Sequence, residues 1–158
     1  MIKYFGLIMI LASAFIISRE YEKNQKKRLF LLSEFIRFCE HIRLKISCFL
    51  APKTDWLSDF QTDSAELLSF LSLARQAPLD TSFREVENVL FVDEKRELTR
   101  LFSSIGKGYR DGELALLDDV IEKLRAIYGG ALSEIDKNVK TVRVLVSAIS
   151  LGIAILLI

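Results

Sequence analysis

The sequence predicts an all-α protein, an antiparallel helical bundle with a membrane helix at each end. Three observations predict this fold. Apolar residues recur with helical spacing through the middle of the chain, no long segment alternates with period two, and each end carries fifteen consecutive uncharged residues. The predicted domains are an N-terminal membrane anchor at residues 1–18, a cytoplasmic helical bundle at 19–143 and a C-terminal membrane anchor at 144–158.

The uncharged runs occupy residues 4–18 and 144–158. A straight helix of fifteen residues is about 22 Å long and the hydrocarbon core is about 30 Å thick. Adding Met1 and Ile2, or snorkelling of Lys3, Arg19 and Arg143, closes most of this gap. The C-terminal run has no polar stripe, which favours a membrane helix over a core helix. For the N-terminal run a cleaved signal peptide is the alternative, since Ala12-Ser13-Ala14 resembles a cleavage site. The apolar run continues beyond it, which favours an uncleaved anchor.

Charge is arranged in three blocks, although the net charge is only +1. Residues 19–53 carry nine Lys and Arg against four Asp and Glu, residues 54–122 carry seven against fifteen, and residues 123–143 carry five against two. Because basic blocks adjoin both apolar ends, the positive-inside rule predicts a cytoplasmic body held against anionic headgroups. A total so close to zero does not indicate a nucleic-acid partner.

The body is predicted to consist of a long first helix, several shorter helices and a long last helix that enters the C-terminal run. Pro52 and Pro78 are predicted to end helices, and Gly106 is predicted to stop another. The last helix has the a/d spacing of coiled coils, with a kink expected at Gly129-Gly130. The predicted helix starts are Thr54 or Asp55, Asp63 or Ser64, Thr81 or Ser82, Asp93, and Asp111. The predicted inward-facing residues are Leu32, Phe35, Cys39, Ile42, Ile46, Phe49, Trp56, Leu57, Phe60, Leu67, Leu68, Leu71, Ala74, Phe83, Val86, Val89, Leu90, Leu98, Leu101, Phe102, Ile105, Leu117, Ile121, Leu124, Tyr128, Ala131, Ile135, Asn138 and Val142.

No residue set typical of catalysis, cofactor binding or metal binding is found. His41 is the only histidine, and Cys39 points about 200° away from it on a helix. Asp118 and Asp119 are adjacent, diverge by about 100° and are expected on a solvated face. We therefore predict a protein that is not an enzyme and has no cofactor.

The stretch IGKGYRDG only partly matches a phosphate-binding loop. The residue five positions before Gly106 is Leu101 rather than glycine, and Gly108 stands where Ser or Thr would bind magnesium. The favoured interpretation is a helix end and a turn, with a partner-binding surface at Gly106, Lys107, Gly108, Tyr109, Arg110 and Asp111. In the C-terminal run, Ala148 and Gly152 have the spacing with which another membrane helix could pack closely.

Two stretches, LFSSIGKGYRDGELALLDDVIEKL and KTVRVLVSAISLGIAILLI, combine with the two apolar ends in a layout that resembles the stage III sporulation protein AB family. The resemblance implies a scaffold in the mother-cell membrane facing the forespore, within the stage III A channel or secretion-like complex. It also implies a body similar to the cytoplasmic domain of the F-type platform proteins of type II secretion systems. Such a scaffold would dock a secretion-type ATPase and other membrane proteins, and it could form a homo-oligomer.

Two rival functions stay open at this point. The first is an extracytoplasmic helical adaptor with a cleaved signal peptide and a C-terminal membrane tail. The second is a membrane-tethered enzyme that holds phosphate at the 106–111 turn.

Overall fold

The computed structural model describes residues 2–49 and 53–157, and all regular structure in these ranges is helical. The elements are α1 (Ile2–Phe49), α2 (Lys53–Ser58), α3 (Ala65–Ala74), α4 (Leu79–Arg84), a 3-10 turn (Glu87–Val89), α5 (Val92–Ser104) and α6 (Arg110–Leu157). The all-α prediction is thus confirmed for the described residues. The predicted helix end at Pro52, and the side chains of Phe49 and Asn138, lie outside the described part.

The chain divides into two compact units. The first unit comprises Met1–Lys27 and Gly130–Ile158, and the second comprises Arg28–Gly129. Within residues 2–49 and 53–157, no helix combines the length and apolar character needed to cross a membrane.

The second unit is built around four phenylalanines that come from four helices. Phe35 of α1, Phe70 of α3, Phe83 of α4 and Phe102 of α5 are each at most 3% exposed. All six ring pairs are in contact, with centroids 5.0 to 6.5 Å apart. Aromatic pairs at such distances stabilise a core by about 0.5–1.5 kcal/mol beyond the burial of their area. This cluster therefore joins the four helices at one point.

Helix α3 departs from the prediction at one inward position. Leu68 was expected inside but is half exposed, whereas Phe70 is fully buried. The buried face is Leu67, Phe70, Leu71 and Ala74, a helical stripe that fits the sequence as well as the predicted one. The aromatic cluster decides between the two stripes because it requires a ring from α3.

Several predicted helix starts are wrong by one to three residues. Helix α4 begins at Leu79, so Thr81 and Ser82 lie inside it, and Pro78 precedes the helix instead of closing α3. Pro78 is the N-cap residue of α4, where the ring fixes its φ at −58° and its ψ of 148° keeps it outside the helix. The hydroxyl of Ser82 donates to the Pro78 carbonyl at 2.9 Å.

The other starts show the same small shift. Helix α2 begins at Lys53, before Thr54 and Asp55, and α5 begins one residue before Asp93. At α3 the prediction of Ser64 is confirmed, because its hydroxyl accepts a hydrogen bond from the Leu67 N–H at 3.3 Å.

Within the second unit, α1 and α6 run antiparallel, as predicted. Successive contacts between the two helices lie closer to the end of α1 and closer to the start of α6. They join Glu40 to Arg125 (2.6 Å), Arg43 to Asp118, and the Ser47 carbonyl to the Arg110 guanidinium. Between these helices Leu117 and Leu124 are fully buried. In the first unit, the predicted seam residues Ala131, Ile135 and Val142 are half-buried, whereas Val139 is buried.

A buried ion pair fixes α5 against α1. The Arg28 guanidinium donates from Nε to both Glu94 carboxylate oxygens, at 2.9 and 3.1 Å. Glu94 is fully buried and Arg28 is 7% exposed. The same carboxylate accepts the Phe91 N–H at 2.8 Å, and the Phe91 ring lies 3.5 Å from the guanidinium carbon. Both charges are thus paired, and each also contacts Phe91, Glu94 through the backbone N–H and Arg28 through the ring. A buried ion pair requires such additional contacts.

We expect Arg28→Met to lower the free energy of unfolding by about 3–5 kcal/mol, because it leaves a buried carboxylate without its cation. Urea unfolding of the full chain in mild detergent, monitored by circular dichroism, measures this loss. The control is Arg125→Gln, whose exposed pair with Glu40 is worth about 1 kcal/mol or less. Equal losses in the two variants would contradict the importance given to the buried pair.

Candidate functional site

The turn predicted as a partner surface begins where α5 ends. Helix α5 stops at Ser104, and Gly106 follows with a φ of +82°. Side-chain-bearing residues rarely adopt this left-handed conformation, which explains the glycine and confirms the predicted helix stop. The N–H of Lys107 donates to the Ser104 carbonyl at 3.3 Å, and the Lys107 ammonium donates to the Ser103 carbonyl at 2.6 Å. Lys107 therefore binds back onto the end of α5.

Glu113 holds the turn against the start of α6. One of its carboxylate oxygens accepts the Gly106 N–H at 2.8 Å and the Gly108 N–H at 3.2 Å. Asp111, the predicted start of this helix, is exposed and lies in its first turn, since α6 begins at Arg110. The prediction of Asp111 is therefore wrong, and Glu113 was missed. Acidic residues are favoured throughout the first turn of a helix, so the sequence signal was present but did not single out one carboxylate.

This arrangement bears on the phosphate-binding alternative. A phosphate loop presents free backbone N–H groups to the anion. Here a carboxylate already accepts the N–H groups of Gly106 and Gly108, so a phosphate would have to displace a group of like charge. The turn acts as a connection between two helices rather than as an anion cradle.

The rest of the turn is presented to solvent. Tyr109 is 94% exposed, and Gly106, Gly108 and Asp111 are exposed as well. Arg110 is anchored, because its guanidinium donates to the Ser47 carbonyl of α1. The structure thus brings the six predicted partner-binding residues together on one short surface with Tyr109 at its tip. Exposed tyrosines are favoured in interfaces because a rigid ring supplies contact area at low entropic cost.

The predicted membrane-helix packing residues are on the first unit. Ala148 and Gly152 are exposed, and a Cβ added to Gly152 would meet no atom within 4 Å. Their small surface is therefore not used for packing inside the described first unit.

Cys39 and His41 take structural positions in the second unit. Cys39 is fully buried, and burial raises the pKa of its thiol to about 12. The centroid of the His41 ring lies 5.4 Å from that of the Phe60 ring. Burial, and to a smaller extent the positive charge of Lys45, lowers the pKa of the imidazole. In the part of the chain that the structure describes, no three His, Cys, Asp or Glu side chains are grouped so that they could hold a metal ion.

The adjacent carboxylates of Asp118 and Asp119 point to different helices. Asp118 pairs with Arg43 of α1, whereas Asp119 accepts hydrogen bonds from Arg100 at 2.7 Å and from Lys123 at 2.8 Å. Lys123 and Arg100 hold the pKa of Asp119 below its usual value. The predicted divergence is confirmed, and the pair links helices instead of forming one acid–base site.

A comparison with protein families adds the identity of the chain. The model of the family described as stage III sporulation protein AB matches residues 3–158. The chain belongs to the stage III sporulation protein AB family. The resemblance inferred from the sequence is thus confirmed over nearly the whole chain, and membership implies a sporulation-related role. Searches of curated proteins and of solved structures found no significant match.

For this family member we expect Glu113→Ala to speed amide hydrogen exchange at Gly106 and Gly108 by about fivefold, since the loss of a hydrogen bond costs about 1 kcal/mol. Asp111→Ala is the matched control, because it removes an acid from the same turn without removing those bonds. Amide exchange rates measured by NMR should be raised at Gly106 and Gly108 in the Glu113 variant and unchanged in the Asp111 variant. If the Asp111 variant showed the larger effect, Asp111 and not Glu113 would organise the turn.

Proposed function

We propose that the protein is a non-enzymatic membrane scaffold of the stage III A sporulation complex, located in the mother-cell membrane that faces the forespore. Its second unit would lie in the cytoplasm and dock a secretion-type ATPase and other membrane components. The observation that carries the proposal is the exposure of large apolar side chains at both ends of the chain.

In the first unit these side chains are only partly buried by the rest of the described structure. Seven of them are between 45% and 67% exposed, namely Phe15, Ile16, Ile17, Val144, Leu145, Ile149 and Ile153. Large exposed apolar side chains concentrated in two segments are typical of an interaction site. Leaving apolar surface in water costs roughly 25 cal/mol per Å², and a lipid bilayer removes that cost for both helix ends. This supports membrane attachment through both terminal segments.

The flanking charges support the proposed orientation. Exposed Arg19 and Lys23 follow the first apolar run, and exposed Lys137, Lys140 and Arg143 precede the second. Cations concentrate on the cytoplasmic side of membrane segments, so these positions favour a cytoplasmic second unit.

The interior of the second unit supports a structural role. Its buried carboxylates are used in folding: Glu94 pairs with Arg28, and Glu34 pairs with Arg37 and accepts the Thr62 hydroxyl at 2.6 Å. The exposed 106–111 turn is left as a contact surface, with Tyr109 as its largest side chain. A rigid body with a protruding aromatic suits docking, since hot spots in interfaces are often tyrosines.

The location of the second unit can be tested with a thiol reagent that does not cross membranes. Cys48 is exposed and must be changed to serine, whereas the buried Cys39, with its raised pKa, can stay. Thr99→Cys then places one reactive thiol on exposed α5. We expect labelling only after the cells are opened. The Cys48→Ser variant without the reporter is the control and should stay unlabelled in both conditions.

Labelling in intact cells would contradict the cytoplasmic location. It would favour the extracytoplasmic adaptor, and the mass of the mature chain would then show whether its N-terminal segment had been removed.

The docking role can be tested by complementation of a gene deletion during sporulation. We expect the deletion to block spore formation, the wild-type chain to restore it, and Tyr109→Ala combined with Lys107→Gln to fail although the protein accumulates normally. Truncation of a central interface tyrosine typically costs 2 kcal/mol or more of binding, about 30-fold in affinity. Thr81→Ala, an exposed change on α4, is the control and should restore spore formation. Full activity of the turn variant would argue against docking through this surface, and normal sporulation of the deletion would argue against the scaffold as a whole.

A further inference from the structure

An open groove of about 850 Å³ lies in the first unit, where apolar and basic side chains meet. Phe15 and Ile16 form its apolar part, and its cations are Arg19, Lys23, Lys26 and Arg143. We propose that this groove binds the phosphate headgroup of an anionic phospholipid. The proposal rests on the membrane attachment proposed above and adds a headgroup preference to it.

The charge of the groove is basic even after its acids are counted. Four cations face two carboxylates, those of Glu20 and Glu22. Glu22 accepts a hydrogen bond from Lys26 at 2.7 Å and contacts Arg143 at 3.3 Å. The bond from Lys26 holds the pKa of Glu22 below its usual value, so this carboxylate stays ionised and orients both cations. The lining keeps an excess of two positive charges.

Arg19 and Lys23 are the residues placed to meet the phosphate. The Arg19 guanidinium lies 5.3 Å from the Phe15 ring centroid, a cation–π distance that restricts its orientation. A guanidinium presents two parallel N–H groups to phosphate oxygens, which makes arginine suited to this ligand. Lys23 follows one helical turn later on the same face of α1 and is exposed.

The order of side chains along α1 matches a lipid rather than a free phosphate. Phe15 and Ile16 are 63% and 64% exposed and adjoin Arg19. The side chains along α1 therefore change from apolar to basic within one turn. A phospholipid has the same change between its acyl chains and its phosphate. Inorganic phosphate would contact the cations only and would leave both apolar side chains in water.

Flotation of the full chain with vesicles tests the proposal. The vesicles contain either phosphatidylcholine alone or phosphatidylcholine with about one-third phosphatidylglycerol. We expect stronger binding to the anionic vesicles, and about 30-fold weaker binding to them for Arg19→Gln/Lys23→Gln, because each cation near an anionic surface contributes a factor of about five. Binding to phosphatidylcholine should not change.

The control variant is Arg84→Gln/Lys95→Gln, which removes the same charge from the second unit and should bind like the wild type. Circular dichroism of both variants checks that helix content is kept. Equal flotation of the wild type on both vesicles, or equal losses in both variants, would overturn the headgroup site while membrane attachment stands. No flotation on either vesicle would overturn attachment as well. Loss of the anionic preference on addition of inorganic phosphate, at constant ionic strength, would show a phosphate site without lipid selectivity.

Discussion

Arg28 and Glu94 bring two full charges out of water, and this cost restricts how α1 and α5 can meet. The pair is tolerable only while the guanidinium–carboxylate hydrogen bonds are intact, since a displaced partner leaves an unpaired buried charge. Phe35 lies seven residues beyond Arg28 and Phe102 eight residues beyond Glu94, about two turns along each helix. The rings of Phe35 and Phe102 are 6.2 Å apart, so the ion pair and the aromatic cluster require the same register. The ion pair therefore selects the arrangement in which the apolar core closes.

The sequence predicted the helices and most of the core because these depend on local spacing. Phe35, Phe83 and Phe102 lie on recognisable apolar stripes, whereas on α3 two overlapping stripes were possible and only tertiary contact selects Phe70. The Arg28–Glu94 pair joins residues 66 positions apart, and no local pattern links them. Errors at the helix starts have a different cause. Residue preferences for caps compete there with the fixed φ of Pro78 and with the reach of distant carboxylates.

The candidate site shows the same division between local and tertiary information. Glycine at 106 predicted the left-handed turn, because few other residues adopt that conformation. Which carboxylate binds the turn depends on side-chain reach from the first turn of α6, which carries both Asp111 and Glu113. Glu113 reaches back to two N–H groups, and this leaves Tyr109 at the exposed tip. The sequence therefore predicted the exposed turn at 106–111, but not the carboxylate that supports it.

In the proposed scaffold the flanking cations matter more than the length of the apolar runs. Fifteen uncharged residues form a helix of about 22 Å, shorter than a hydrocarbon core of about 30 Å. A short apolar run leaves its position in a bilayer weakly specified, because small displacements in depth change little apolar burial. Arg19 and Arg143 would add a position-dependent interaction at the level of the phosphates, and Glu22 contacts both Arg143 and Lys26. Headgroup binding would then set the depth of both terminal helices in the membrane.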